Sequence, residues 1–143
     1  MAPTSPMTDV FLDTGFVIAL SDSRDRHHRE ARERAEQISQ DRVQVVTTQD
    51  VLVEIGNALA SVGRRAFAVR YIRAIERADP FEVVKASPKL FQRGLALYED
   101  RQDKEWGITD CVSFVTMRDR GLHAALTTDR DFEQAGFTAL LRS

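Results

Sequence analysis

Disulfide and zinc-knuckle chemistry are closed to this chain, because Cys111 is its one cysteine among 143 residues and a bridge or a CxxC ligand pair needs at least two. A bilayer span is missing as well, since no apolar run reaches the roughly 20 residues that a membrane helix needs. Met1 to Thr8 has no basic end followed by an apolar stretch and does not read as a secretory signal. The cytoplasm is therefore the expected compartment, with no membrane partner. Lysine is scarce, confined to Lys85, Lys89 and Lys104, and the net charge is only −2. That argues against a highly basic nucleic-acid coat, although a net charge averages over separated patches. Low-complexity stretches, internal repeats and linkers are also absent. What remains is 43% apolar and 29% charged, the composition of an ordinary globular domain. One domain is expected at this length, burying about two thirds of its unfolded surface. Residues 1–6 are expected as a disordered tail and residues 7–143 as the domain.

Strand and helix signals alternate throughout. Met7 to Leu12 reads as a first strand, Thr14 to Leu20 and Asp25 to Ile38 as helices, and Val43 to Val46 as a second strand. Thr48 can cap a helix running to about Ala60, and Arg64 to Arg77 continues the helical pattern until Asp79-Pro80 breaks it. Phe81 to Val84 is a third strand. Ser87-Pro88 pairs a cap with proline at the first helical position, opening a helix to about Asp100. Thr109 is placed as the cap of a helix that Gly121 stops; His123 to Thr127 is a fourth strand, Asp131 to Gln134 a helical turn and Thr138 to Leu141 a short fifth strand. Strands separated by helices imply right-handed crossovers and a parallel sheet covered on both faces. The expected fold class is α/β: a three-layer α/β/α sandwich of about five strands in the order 3-2-1-4-5. Ligands bind such sheets outside the carboxyl ends, at the switch point.

Four acids lie near that crevice. Asp13 and Asp129 follow the first and fourth strands, whose axes would be about 4.8 Å apart; Glu54 lies in the helix after the second strand, and Asp110 near the start of another. Taken singly, Asp13, Asp110 and Asp129 can each be a helix cap. Glu54 belongs to a polar stripe with Asp50, Asn57 and Ser61 that can face water. Taken jointly, carboxylates about 4 Å apart repel by roughly 4 kcal/mol at an effective dielectric near 20. A cluster of them calls for Mg²⁺ or Mn²⁺, hard ions that take oxygen ligands and serve phosphoryl chemistry. His27, His28 and His123 read as surface or packing residues. Arginine concentrates in two stretches, Arg24 to Arg34 and Arg64 to Arg77, which are either solvated helix faces or phosphate contacts.

Four ordered blocks, Phe11-Leu12-Asp13-Thr14, Glu54 with Asn57-Ala58-Leu59, Ile108-Thr109-Asp110-Cys111-Val112-Ser113-Phe114, and Leu126-Thr127-Thr128-Asp129-Arg130-Asp131-Phe132, together resemble PIN-domain ribonucleases, whose commonest bacterial members are VapC-type toxins of toxin–antitoxin modules. The resemblance runs from Val10 to Leu141. It implies a metal-dependent endoribonuclease acting on single-stranded RNA, with Asp13, Glu54, Asp110 and Asp129 catalytic and with Asp13, Asp110 and Asp129 holding Mg²⁺ or Mn²⁺. Thr14, Thr109 and Asp131 would be accessory, Asp131 being either a fifth acid or a cap. One departure is Gly15, where a serine or asparagine is usual, so a hydrogen bond behind the metal is lost. Asp103-Lys104-Glu105-Trp106 resembles the loop preceding this helix in one branch of the family, where Lys104 would meet a phosphate and Trp106 is either core or a base-stacking platform. Arg64 and Arg65 are further substrate-binding candidates. The family also implies a homodimer and a small antitoxin whose tail blocks the pocket.

Rival folds fit less well. A haloacid dehalogenase-type phosphatase needs a second acid two positions after the first, where Gly15 stands, and a receiver domain needs paired acids ending the first strand and a lysine late in the chain. Two alternatives survive: the same fold used as a binding or scaffold module, and an RNA-processing nuclease unconnected to an antitoxin.

Overall fold

The computed structural model describes residues 7–141, so the expected tail over 1–6 lies outside the described residues. Five strands, β1 (Val10–Leu12), β2 (Val45–Thr48), β3 (Phe81–Val84), β4 (Ala124–Leu126) and β5 (Thr138–Ala139), form one sheet in the order β3-β2-β1-β4-β5. All four pairings are parallel, as the alternating pattern predicts. The helices are α1 (Thr14–Ser21), α2 (His28–Asp41), α3 (Gln49–Ala58), α4 (Arg65–Arg77), α5 (Pro88–Asp100), α6 (Ile108–Arg120) and α7 (Arg130–Gln134). None of the described helices is long and apolar enough to cross a membrane.

Burial follows position in the sheet. Central β1 and its neighbour β2 are buried throughout, whereas edge strand β3 is half-buried; a parallel strand covered on both faces needs apolar or hydrogen-bonded side chains at every position. An aromatic cluster forms the core behind one end of the sheet. Phe114 packs edge-on against Trp106 at 5.0 Å and Phe132 at 4.9 Å between ring centroids, and Phe132 in turn meets Phe11 at 6.3 Å. Phe11, Phe114 and Phe132 sit within a few residues of Asp13, Asp110 and Asp131, so the core fixes the elements that carry these acids.

Several boundaries differ from expectation for local reasons. The second helix starts at His28 rather than Asp25 because the Asp22 and Asp25 carboxylates accept from the amides of Arg24 and His27, side-chain turns that compete with a helix. β2 is shifted two residues along, to end at Thr48, which caps α3 by accepting from the Val51 amide. Thr109 is not the cap of α6: Gly107 is, and Thr109 lies inside the first turn. Ser87 and Pro88 open α5, and Gly121 ends α6 at φ 65, both as predicted.

α5 lies against α6 through Gly94, whose position leaves no room for a side chain: a Cβ there would sit 2.5 Å from Val112 Cγ2. Gly94→Ala is therefore expected to destabilise the fold by about 1 to 3 kcal/mol through overpacking. A denaturation midpoint equal to that of the unsubstituted chain would show that the two helices can part without cost.

Candidate metal centre

β1 and β4 pair with Leu12 opposite Leu126, so the next residues out, Asp13 and Thr127, leave the carboxyl ends of adjacent strands side by side. Asp13 occupies the N-cap position of α1, but its carboxylate makes no cap hydrogen bond. It accepts instead from Thr127 Oγ1 at 2.7 Å. The simple cap reading fails for this aspartate, and its carboxyl faces across the sheet. Asp129 does cap α7, accepting from the Asp131 amide through Oδ1 at 2.9 Å. That bond occupies one of its two oxygens, and Asp129 takes the cap role that was open for Asp131.

Asp110, in the first turn of α6, accepts from the Gly107 amide at 3.2 Å. One oxygen from each of Asp110, Asp129 and Asp131 lies within 4.8 Å of the others. In an octahedral Mg²⁺ site, opposite oxygens are about 4.2 Å apart, twice a bond of about 2.1 Å. The group is therefore close to the size such an ion needs, and its donors are hard oxygens without sulfur or imidazole. Asp131 belongs to this group and Asp13 does not, although Asp13 interacts electrostatically with Asp129 and Asp110. Glu54 accepts from Thr14 Oγ1 at 2.8 Å, so Thr14 links the start of α1 to α3. Of the expected stripe, Ser61 lies beyond the end of α3; on the helix itself Asn57 is exposed, Asp50 and Glu54 are half-buried and Val53 faces solvent.

The carboxyls are held where ionisation is costly. Burial pushes Asp13 up to about 6, helped by Glu54 and Asp129 and opposed by the Thr127 hydrogen bond. Burial likewise raises Asp110 to about 7, with the Gly107 amide opposing and Asp129, Asp13 and Asp131 adding repulsion. Asp131 is raised by its own burial and by Asp129. A cation removes that repulsion, which is the chemical reason to assign one to this set.

Thr127 is the residue that sequence reasoning missed. Its only sequence signal was its place in the Leu126-Thr127-Thr128-Asp129 block, and nothing local says which way its hydroxyl turns. Thr109 offers its carbonyl to Ser113 Oγ. Trp106 is buried, donates from Nε1 to Gln134 Oε1 at 3.1 Å and lies under the Arg101 guanidinium, so it is core and no platform for a base. Lys104 is half-buried on the α5–α6 loop. Arg64 and Arg24 both pair with Asp22, which joins the two arginine stretches at one point. Arg65 donates to the Ala60 carbonyl.

The family model described as PIN domain matches residues 10–138. Among solved structures, VapC20 of Mycobacterium tuberculosis, a sarcin-ricin loop cleaving toxin, is 26% identical with a TM-score of 0.79, covering 91% of this chain and 97% of that one. VapBC-1 from nontypeable Haemophilus influenzae is 15% identical with a TM-score of 0.62, covering 95% of this chain and 100% of that one. FitAcB from Neisseria gonorrhoeae is 17% identical with a TM-score of 0.58, covering 93% and 95%; at these identities the last two speak to fold alone. No curated protein sequence matches.

Proposed function

From a chain that belongs to the PIN-domain family, we infer an endoribonuclease that hydrolyses phosphodiester bonds of single-stranded RNA with Mg²⁺ or Mn²⁺, acting as a toxin held in check by an antitoxin. The observation that carries this reading is the convergence of Asp110, Asp129 and Asp131 beside Asp13 at the carboxyl ends of β4 and β1. The toxin assignment is supported by likeness to a toxin at 26% identity over nearly the whole of both chains.

Asp110, Asp129 and Asp131 would hold the ion, with Asp13 across the sheet and Glu54 at its margin. When bound, the metal supplies an activated water and neutralises charge on the scissile phosphate. The chain's own share is to orient these acids: the Gly107 amide holds Asp110, the Asp131 amide holds Asp129, and the hydroxyls of Thr127 and Thr14 hold Asp13 and Glu54. No cysteine, serine or histidine nucleophile is assigned. Cleavage of RNA by the purified chain, quenched by EDTA and lost in Asp110→Asn, is the decisive test.

Substrate contacts are assigned to Lys104, Arg64 and Arg65, and a homodimer and a small antitoxin whose tail enters the pocket complete the assembly. Arg65→Glu and Lys104→Glu are expected to weaken RNA binding and to lower its salt slope by about 0.7 per lost phosphate contact, leaving Mn²⁺ affinity in place. Arg64→Glu should also cost stability, because Arg64 pairs with Asp22. An RNA affinity and salt slope unchanged in Arg65→Glu and Lys104→Glu would remove these residues from the substrate path.

A further inference from the structure

We propose that the cavity between α1, α2, α4 and the sheet is a binding site for a small molecule made of one aromatic ring carrying one hydroxyl. The cavity measures about 160 Å³, and a void of about 150 Å³ with aliphatic and aromatic walls accommodates one benzene-sized ring. Its floor lies in the core. Phe16 of α1, Ile38 of α2 and Leu126 of β4 line it and are only 2%, 7% and 0% exposed, whereas Ser39, the next residue of α2, is exposed and marks the mouth. The shape is therefore a pit that reaches the central sheet. A helix about 10 Å across cannot enter such a volume, whereas a single ring fills it.

The chemistry of the walls narrows the occupant further. Ala35 and Phe81 complete an apolar lining to which no acidic, basic or amide side chain contributes. Water held there forgoes hydrogen bonds, so an apolar ring that displaces it gains affinity. Two lining residues carry hydroxyls, Ser39 and Tyr71, and neither side chain makes a hydrogen bond to another described residue. Tyr71 is half-buried, its ring stacked on Phe67 at 5.6 Å between centroids, and burial pushes its hydroxyl up to about 12. It stays protonated at neutral pH and can donate to a ligand oxygen. Ala35 is the smallest lining side chain, and a leucine in its place would take up much of the space.

The site stands apart from the metal reading. The Phe16 amide donates to the Asp13 carbonyl and the Asp13 amide to the Leu126 carbonyl, both at 3.3 Å, yet no acid lines the pit, so binding can be measured in EDTA. Phenol is the probe and benzene its hydroxyl-free counterpart, with binding to the full chain read by calorimetry and by ligand-induced NMR shifts. Phenol should bind saturably at one site per chain, more tightly than benzene. Tyr71→Phe should weaken phenol about twofold to tenfold, the worth of one net hydrogen bond, and leave benzene unchanged. Ala35→Leu should abolish binding of both rings while keeping the melting temperature, because it fills space. Should Ala35→Leu not fold, Ala35→Val carries the test by weakening both rings severalfold. The proposal is overturned by absence of saturable phenol binding, by phenol binding no tighter than benzene, by unchanged phenol affinity in Tyr71→Phe, or by unchanged affinity in the folded Ala35 variant.

Discussion

Asp110→Asn is expected to reduce RNA cleavage by at least about a thousandfold without unfolding the protein. Asparagine still offers an oxygen to the Gly107 amide, so the start of α6 keeps its hydrogen bond, and the relief of repulsion with Asp13, Asp129 and Asp131 favours the fold. What disappears is a charged ligand. If the metal contributes about 4 kcal/mol of transition-state stabilisation, one of the several-kcal/mol contributions such ions make, losing it corresponds to about three powers of ten. On the proposed reading, metal-activated water is expected to attack phosphorus in line as the 3′ oxygen leaves, giving 5′-phosphate and 3′-hydroxyl ends, whereas attack by the RNA's own 2′-hydroxyl would leave a 2′,3′-cyclic phosphate. End-group analysis of the cut RNA checks this directly: 2′,3′-cyclic phosphate, undiminished cutting in EDTA, or an active Asp110→Asn would each reject the mechanism.

Without metal, the protein should be more stable at pH 5 than at pH 8. In the folded chain Asp13 is raised to about 6 and Asp110 to about 7, from 3.8; the unfolded chain has released both protons well before those values are reached. Where the folded state binds more protons than the unfolded state, stability falls as pH rises. The decline therefore begins near pH 4 and is complete only above about 7. At about 1.4 kcal/mol per pKa unit, the Asp13 difference corresponds to about 3 kcal/mol over the whole decline, of which about half falls between pH 5 and pH 8; Asp110 interacts with it and does not add in full. The ion-paired acids Asp22, Glu82, Asp103 and Asp119 are lowered instead, so their contribution is lost only as pH drops toward and below 4, outside this window. Mn²⁺ at about 100 times its dissociation constant should add about 2.7 kcal/mol by mass action and flatten the profile. Asp110→Asn should be stabilised at pH 8 in EDTA and gain little from Mn²⁺. Melting at pH 5 and pH 8 at constant ionic strength decides the matter, and a metal-free profile that is flat or rises through this window would mean that the acids are not held in mutual repulsion.

Much of the scaffold was legible because its causes are local or follow a simple period. Apolar runs separated by helical patterns implied parallel strands joined by right-handed crossovers, the order 3-2-1-4-5 followed from taking the first three strands to build outward and the fourth to return beside the first, and Thr48, Ser87-Pro88 and Gly121 marked helix ends through backbone chemistry that each residue carries by itself. The same reasoning put Asp13 and Asp129 at adjacent strand ends. Local rules misled where two of them competed. Thr109 had the chemistry of a cap, but Gly107 took that position and Asp110 reached back to its amide. The carboxylates of Asp22 and Asp25 satisfied nearby amides and delayed α2.

The membership of the site was a different kind of question. Whether Trp106 faces a ligand or the core depended on Phe114 and Gln134, which belong to other elements. Asp131 joined Asp110 and Asp129, and Asp13 turned to Thr127. Sequence alone determined the layers and the candidate acids, since periodicity and capping act over a few residues, and the structure bears out the strand order expected for strands that build outward from the first. Tertiary structure decided which oxygens converge and which hydroxyl holds them, because the Asp13–Thr127 hydrogen bond exists only after β1 and β4 have paired in register.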